Sequence, residues 1–179
     1  MILGAVLAGG QSRRFGSDKA LALLAGETLL ARAVAQLAGW CDAVVVAGRA
    51  AAPAPCVADW PAPGMGPLGG LAGALAHAGA HGFAAVLSIG VDSLGLPEDL
   101  PARLAAPPAF VAAQPVVGLW PTTALPALRA LLEGDGRHSM RAFAEAIGAV
   151  SVILPAAPAN INTPEDLAAL QNGKMRDGL

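Results

Sequence analysis

The chain has 179 residues, 55% hydrophobic and 13% charged, with a net charge of −2. That length suits one domain with a buried sheet, and a pI of about 5.8 removes any electrostatic case for nucleic-acid binding. Alanine, leucine and valine dominate and no tyrosine occurs, so the mean hydropathy of +0.56 reflects alanine-rich helices rather than a membrane protein.

In chain order, Ile2–Leu7 is a continuous apolar run, as expected of a central parallel strand. No basic residue precedes it, which argues against a signal peptide and for a cytoplasmic protein. A helix is predicted over 28–39, with Leu29, Leu30, Ala33 and Leu37 at helical spacing. Strands follow at 43–47 and 55–58, and Pro67 opens a helix running to about Ala80. The uncharged stretch from Trp60 to Val91 is long enough for a membrane span. Pro61, Pro63, Gly64, Gly66 and Pro67 punctuate it, however, and His77 and His81 interrupt it, so loop, helix, turn and strand fit better. A strand at 84–89 ends just before Asp92.

Beyond it the pattern predicts a short helix at 97–105, strands at 110–113 and 116–120, helices at 123–133 and after Ser139, and a strand at 150–154. In the closing helix Thr163 can cap, Pro164 fits the first turn, and Asp166 completes a capping-box pattern. The alternation of strand and helix predicts an α/β fold: a single-domain, doubly wound, mostly parallel sheet with helices on both faces. The domain is expected over 1–171, with a flexible tail over 172–179. Cys41 and Cys56 share no metal-ligand spacing and are expected to be reduced, buried thiols. His77 and His81 are four apart on a helix, a metal-compatible spacing, but without a third ligand they read as a polar helix face.

The informative segment follows the first strand: Leu7-Ala8-Gly9-Gly10-Gln11-Ser12-Arg13-Arg14-Phe15-Gly16-Ser17-Asp18-Lys19. Glycines let backbone N–H groups approach phosphate oxygens, and the cations offset their charge. Only Lys19 and Lys174 are lysine, against nine arginines, which suggests that a compact ammonium is wanted at position 19. The loop is neither a P-loop, because the lysine does not follow the last glycine directly, nor a Gly-x-Gly-x-x-Gly dinucleotide fingerprint. Asp59 and Asp92 each follow a strand, at the carboxyl edge where ligands of parallel sheets bind. Asp92 is the best Mg²⁺ ligand among them, since that ion takes one or two carboxylates plus substrate phosphates. Asp59 could instead shape the turn before Trp60-Pro61, or accept hydrogen bonds from a guanine.

The loop resembles the Leu-x-Gly-Gly-x-Ser-x-Arg-x-Gly-x-Asp-Lys signature of the molybdenum cofactor guanylyltransferases. Asp59 with Gly66-Pro67-Leu68-Gly69-Gly70, Asp92 before Leu96-Pro97-Glu98-Asp99-Leu100, and Asn160-Ile161-Asn162-Thr163-Pro164 are similar to further motifs of that family, in the same order. The resemblance implies transfer of GMP from GTP to molybdenum-carrying molybdopterin with release of pyrophosphate. It also implies GTP contacts from Leu7, Ala8, Gly9, Gly10, Lys19, Asp59 and Asp92, and catalytic roles for Arg14, Lys19 and Asp92. Mg²⁺ would sit on Asp92 and molybdopterin on Asn160 and Asn162, with Gln114-Pro115, Arg137 and His138 as weaker candidates for the cofactor side. Partner proteins would be cofactor-biosynthesis enzymes or recipient molybdoenzymes. Two departures stand out: Ala47 where the family commonly has a nucleotide-contacting asparagine, and Ser93-Leu94-Gly95 in place of Met-Pro-Phe. The alternatives are a molybdopterin cytidylyltransferase, which usually carries Ala-Ala-Gly at the first loop, and a non-catalytic nucleotide-binding protein.

Overall fold

A computed structural model describes residues 1–9 and 15–176. The first strand, β1 (Ile2–Leu7), leads past the glycine loop to a short 3₁₀ turn at Lys19–Leu21 and a two-stranded hairpin, β2 (Leu23–Leu24) and β3 (Glu27–Thr28). Helix α1 (Leu29–Ala38) begins where Thr28 accepts the N–H of Ala31 on its hydroxyl, and gives way to β4 (Ala43–Ala47) and β5 (Cys56–Val57). Helix α2 (Gly66–Ala80), β6 (Ala85–Gly90), the short β7 (Ser93–Leu94) and α3 (Leu100–Arg103) come next. Strands β8 (Ala109–Val111) and β9 (Gln114–Pro121) precede α4 (Leu125–Glu133) and α5 (Met140–Ala146), and the chain closes with β10 (Val150–Val152), β11 (Ala159–Asn160) and α6 (Pro164–Arg176).

The main sheet has the order β10-β8-β9-β6-β1-β4-β5. Pairings β1–β4, β1–β6, β4–β5 and β8–β10 are parallel, while β9 runs against both neighbours. The mostly parallel, doubly wound expectation therefore holds, with one reversed strand in its middle. Because side chains alternate across a strand, β1 sends Leu3, Ala5 and Leu7 to a layer with α2, α4 and α5, and Val6 to the opposite layer with α1 and α3. Helix α6 extends to Arg176, past residue 171 where the sequence reading ended the domain.

Two local packings position the site. Ser88 of β6 is buried, accepts the Trp120 indole N–H at 2.9 Å and donates to the Val116 carbonyl at 2.6 Å. Both polar groups are thus satisfied inside the core, and the reversed strand is locked against β6. A separate cluster of Phe15, Leu24, Leu29 and Ile161 joins the end of the glycine loop to the C-terminal segment.

Candidate active site

A cavity of about 490 Å³ opens at the carboxyl edge of β1, β4 and β6. Leu7, Ala8 and Gly9 form one wall, Asp59 and the start of α2 a second, and Lys19 and Asp92 line it as well. Three of the four sequence motifs therefore converge on one cavity, because consecutive parallel strands all end on the same side.

Lys19 and Asp92 meet directly. The ammonium Nζ donates to Asp92 Oδ2 at 2.6 Å, with side-chain exposures of 13% and 22%. The turn that carries the lysine is itself fixed. Asp18 caps it by accepting the N–H of Ala20, and Arg49, just past β4, grips both Asp18 oxygens at 3.0 and 2.6 Å. The hydrogen bond from Arg49 holds the Asp18 carboxyl below its usual range against the opposing effect of burial. Such fork-to-fork pairing adds geometric definition as well as energy. Nothing in the local sequence marks Arg49 for this role, because its partner lies 31 positions away.

Asp59 accepts the N–H of Gly64 on Oδ2 at 3.3 Å, while its Oδ1 is buried with no hydrogen-bond partner among the described residues. Its neighbours are glycines for steric reasons. A Cβ on Gly73 would run into the Ala58 carbonyl, and one on Gly69 would lie 3.2 Å from the Trp60 carbonyl. Helix α2 can therefore lie flat on the Ala58–Asp59 backbone. Gly48 plays the matching part on the other wall. Its φ is +82°, and a Cβ there would lie 2.5 Å from the Gly9 nitrogen. Ala47 lines the cavity but is 1% exposed, and a Cβ on Gly70 would sit 3.0 Å from its own Cβ. The wall is tight at the position where the resemblance places an asparagine.

The far wall comes from β9 and α5: Gln114, Pro115 and Val116 with Ser139, Met140 and Arg141. Ser139 caps α5 through Ala142 N–H, and Arg141 donates to the Ala112 carbonyl at 3.1 Å. Nothing in the sequence marks Ser139 and Arg141 for this wall, since single polar residues at the cap and in the first turn of a helix carry no site signature. Arg137 and His138 are exposed and stand outside this lining, with His138 Nε2 donating to the Gly134 carbonyl. Asn160 pairs with Ser93 across β11 and β7. Asn162 is exposed outside the lining, and its N–H is held by Asp166 Oδ2 at 2.8 Å. Thr163 and Asp166 form the reciprocal cap expected of them. Gly10 and Arg14 lie outside the described residues.

The profile of the MobA-like NTP transferase domain matches residues 4–150. The molybdenum cofactor guanylyltransferase of Acidiphilium cryptum is 39% identical, the alignment covering 94% of this chain and 93% of that one. The enzyme of the same name from Rhodobacter capsulatus is 38% identical over 96% and 95%. The chain belongs to the molybdenum cofactor guanylyltransferase family. Its fold agrees. The crystal structure of molybdopterin-guanine dinucleotide biosynthesis protein A from Archaeoglobus fulgidus superposes with a TM-score of 0.77 at 18% identity, covering 98% of this chain and all of that one.

Elsewhere the family assignment leaves several groups without a role. His77 and His81 stack with ring centroids 4.0 Å apart, and His81 Nδ1 donates to the His77 carbonyl. No group of three His, Cys, Asp or Glu suited to a metal forms among the described residues. Burial and the Asp42 charge push the Cys41 thiol up to about 12, although it is only partly buried; Cys56 is exposed rather than buried as expected, because it lies on the short edge strand β5. Among the described residues no helix is long and apolar enough to cross a membrane.

Proposed function

We propose that the protein transfers GMP from GTP to the terminal phosphate of molybdenum-carrying molybdopterin, releasing pyrophosphate. The observation that carries this reading is the convergence of Gly9, Lys19, Asp59 and Asp92 on one cavity in a chain of this family. An oxygen of the acceptor phosphate forms a bond to the α-phosphorus of GTP, and the bond from that phosphorus to the β-phosphate bridge breaks. The nucleophile is already ionised near neutral pH, so catalysis consists of positioning and charge stabilisation rather than proton abstraction.

The Gly9 backbone, free of a side chain, lets the triphosphate approach closely. Lys19, held on its capped turn by Asp18 and Arg49, supplies a point charge to the phosphates. Asp59 Oδ1, a buried acceptor without a partner among the described residues, suits the N1–H and exocyclic amine of guanine. Cytosine would turn a ring nitrogen lone pair towards that oxygen, so the same carboxylate disfavours CTP.

The donor set fits Mg²⁺. It consists of oxygen atoms, and Asp92 reaches the cavity from a strand end as one carboxylate of the kind this ion combines with substrate phosphates. When bound there, the ion would neutralise charge developing on the triphosphate. The product would pass to a recipient molybdoenzyme in the cytoplasm. Pyrophosphate release from GTP and from CTP, each with molybdenum-carrying molybdopterin, tests the proposal. We expect release with GTP, and equal or better use of CTP would overturn it.

A further inference from the structure

The far wall contains a polar side chain of which the fold accounts for the amide nitrogen and not for the oxygen. Gln114 begins β9, is 8% exposed and lines the cavity. Its Nε2 donates to the Ala159 carbonyl at 3.3 Å, which ties β9 to the C-terminal β11 segment. Its Oε1 is buried and has no hydrogen-bond partner among the described residues. A buried carbonyl oxygen left without a partner among the described residues is costly. A ligand N–H would relieve it.

The chemistry of that oxygen selects the ligand. A neutral acceptor repels phosphate oxygens and attracts N–H donors. Pro115, Val116 and Met140 on the same wall offer apolar surface to a flat ring, with Ser139 and Arg141 beside them. The position is right for the acceptor substrate. Val116, two residues along β9, flanks Gly90 on the side of Asp92: a Cβ on Gly90 would lie 3.6 Å from Val116 Cγ1 and 2.9 Å from Asp92 Oδ1. The nucleotide end is already supplied with a buried acceptor in Asp59, on the opposite wall.

We infer that Gln114 is a specificity-determining residue for the acceptor: its Oε1 takes a hydrogen bond from a ring N–H or exocyclic amine of the pterin, while its Nε2 stays on Ala159. The inference rests on the guanylyltransferase reading for the identity of the heterocycle. It adds a contact that the Asn160–Asn162 motif does not provide.

Two variants of the full-length protein separate this contact from a merely structural tie. Gln114→Met keeps the shape and removes both hydrogen-bonding atoms. Gln114→Glu keeps an acceptor oxygen but cannot donate to the Ala159 carbonyl. Measured by pyrophosphate release, Gln114→Met should raise the acceptor KM about tenfold or more, equivalent to about 1.4 kcal/mol, with the GTP KM unchanged. Gln114→Glu should recover most of that loss. A Glu variant as impaired as Met would make the tie to β11 the whole role and overturn the inference, as would an unchanged acceptor KM or a parallel rise in the GTP KM. Calorimetric titration with free tetrahydropterin reads the same contact without turnover. If the wild type turns nothing over yet Gln114→Met weakens pterin binding about tenfold, the contact stands and the guanylyltransferase reading fails. Absent wild-type binding, or equal binding by the variant, overturns the contact itself.

Discussion

Gly48→Ala is the sharpest steric test of how the phosphate-loop wall is built. Two costs add at this position. The backbone has φ +82°, where an L side chain costs about 1–2 kcal/mol. The new Cβ would also lie 2.5 Å from the Gly9 nitrogen. Overpacking of that kind costs about 1–3 kcal/mol, towards the upper end here because the obstacle is backbone rather than a flexible side chain. The sum, roughly 2–5 kcal/mol, is a large share of the usual 5–15 kcal/mol of domain stability. For a chain of this size it corresponds to a fall in Tm of roughly 4–20 °C. Gly82→Ala is the control: its φ of +77° is similar, but a Cβ there meets nothing among the described residues within 4 Å. Differential scanning calorimetry of both variants separates strain from clash, and GTP titration shows whether a shifted Gly9 weakens nucleotide binding. We expect Gly48→Ala to lose more Tm than Gly82→Ala and to bind GTP less tightly. Equal Tm losses with unchanged GTP binding would refute the steric argument.

Lys19→Arg retains charge but replaces a point donor, held 2.6 Å from Asp92, with a larger planar fork. Turnover should fall at least about tenfold, or about 1.4 kcal/mol of barrier, and near-normal pyrophosphate release would reduce this lysine to generic charge. Asp92→Asn keeps an oxygen able to accept from Lys19 but loses the carboxylate. Circular dichroism should be unchanged while Mg²⁺-dependent turnover drops by about 10²–10³-fold, the usual cost of one removed charge-stabilising group; retained activity would sink the metal assignment. Because the Cys41 thiol is held at about 12, it stays protonated throughout the range from pH 7 to 9, and only thiolates alkylate. Iodoacetamide at pH 8 should therefore label exposed Cys56 well before Cys41, as peptide mass mapping would report, and faster labelling of Cys41 would contradict the burial argument.

What the sequence disclosed depended on whether the signal was local. The apolar run of β1, the glycine loop, Lys19, Asp59 and Asp92 were legible because each sits next to the strand end that places it, and parallel strands bring such ends together. The Thr163–Asp166 cap was legible for the same reason, since its hydrogen bonds close within three residues. Gly48 was not, because its requirement comes from Gly9, a contact made only when β4 pairs with β1. The same holds for the grip of Arg49 on Asp18 and for Phe15, which meets Ile161 only after the C-terminal segment returns. Gln114 was named in the sequence only as a weak candidate. Its unpaired oxygen becomes visible once β9 is seen running antiparallel beside β6, locked there by Trp120 and Ser88. Asn162 shows the converse: its motif was clear, but its backbone serves the helix cap and it stands outside the cavity lining.

Transfer of a guanylyl group to a phosphate acceptor can be followed directly. The direct measurement uses GTP radiolabelled at the α-phosphate, incubated with the protein, Mg²⁺ and molybdenum-carrying molybdopterin, with products separated by chromatography. We expect label in the molybdopterin product, dependence on both Mg²⁺ and acceptor, and no comparable transfer from α-labelled CTP. Label remaining in GTP, label appearing only as free GMP, or equal transfer from CTP would contradict the proposed transfer.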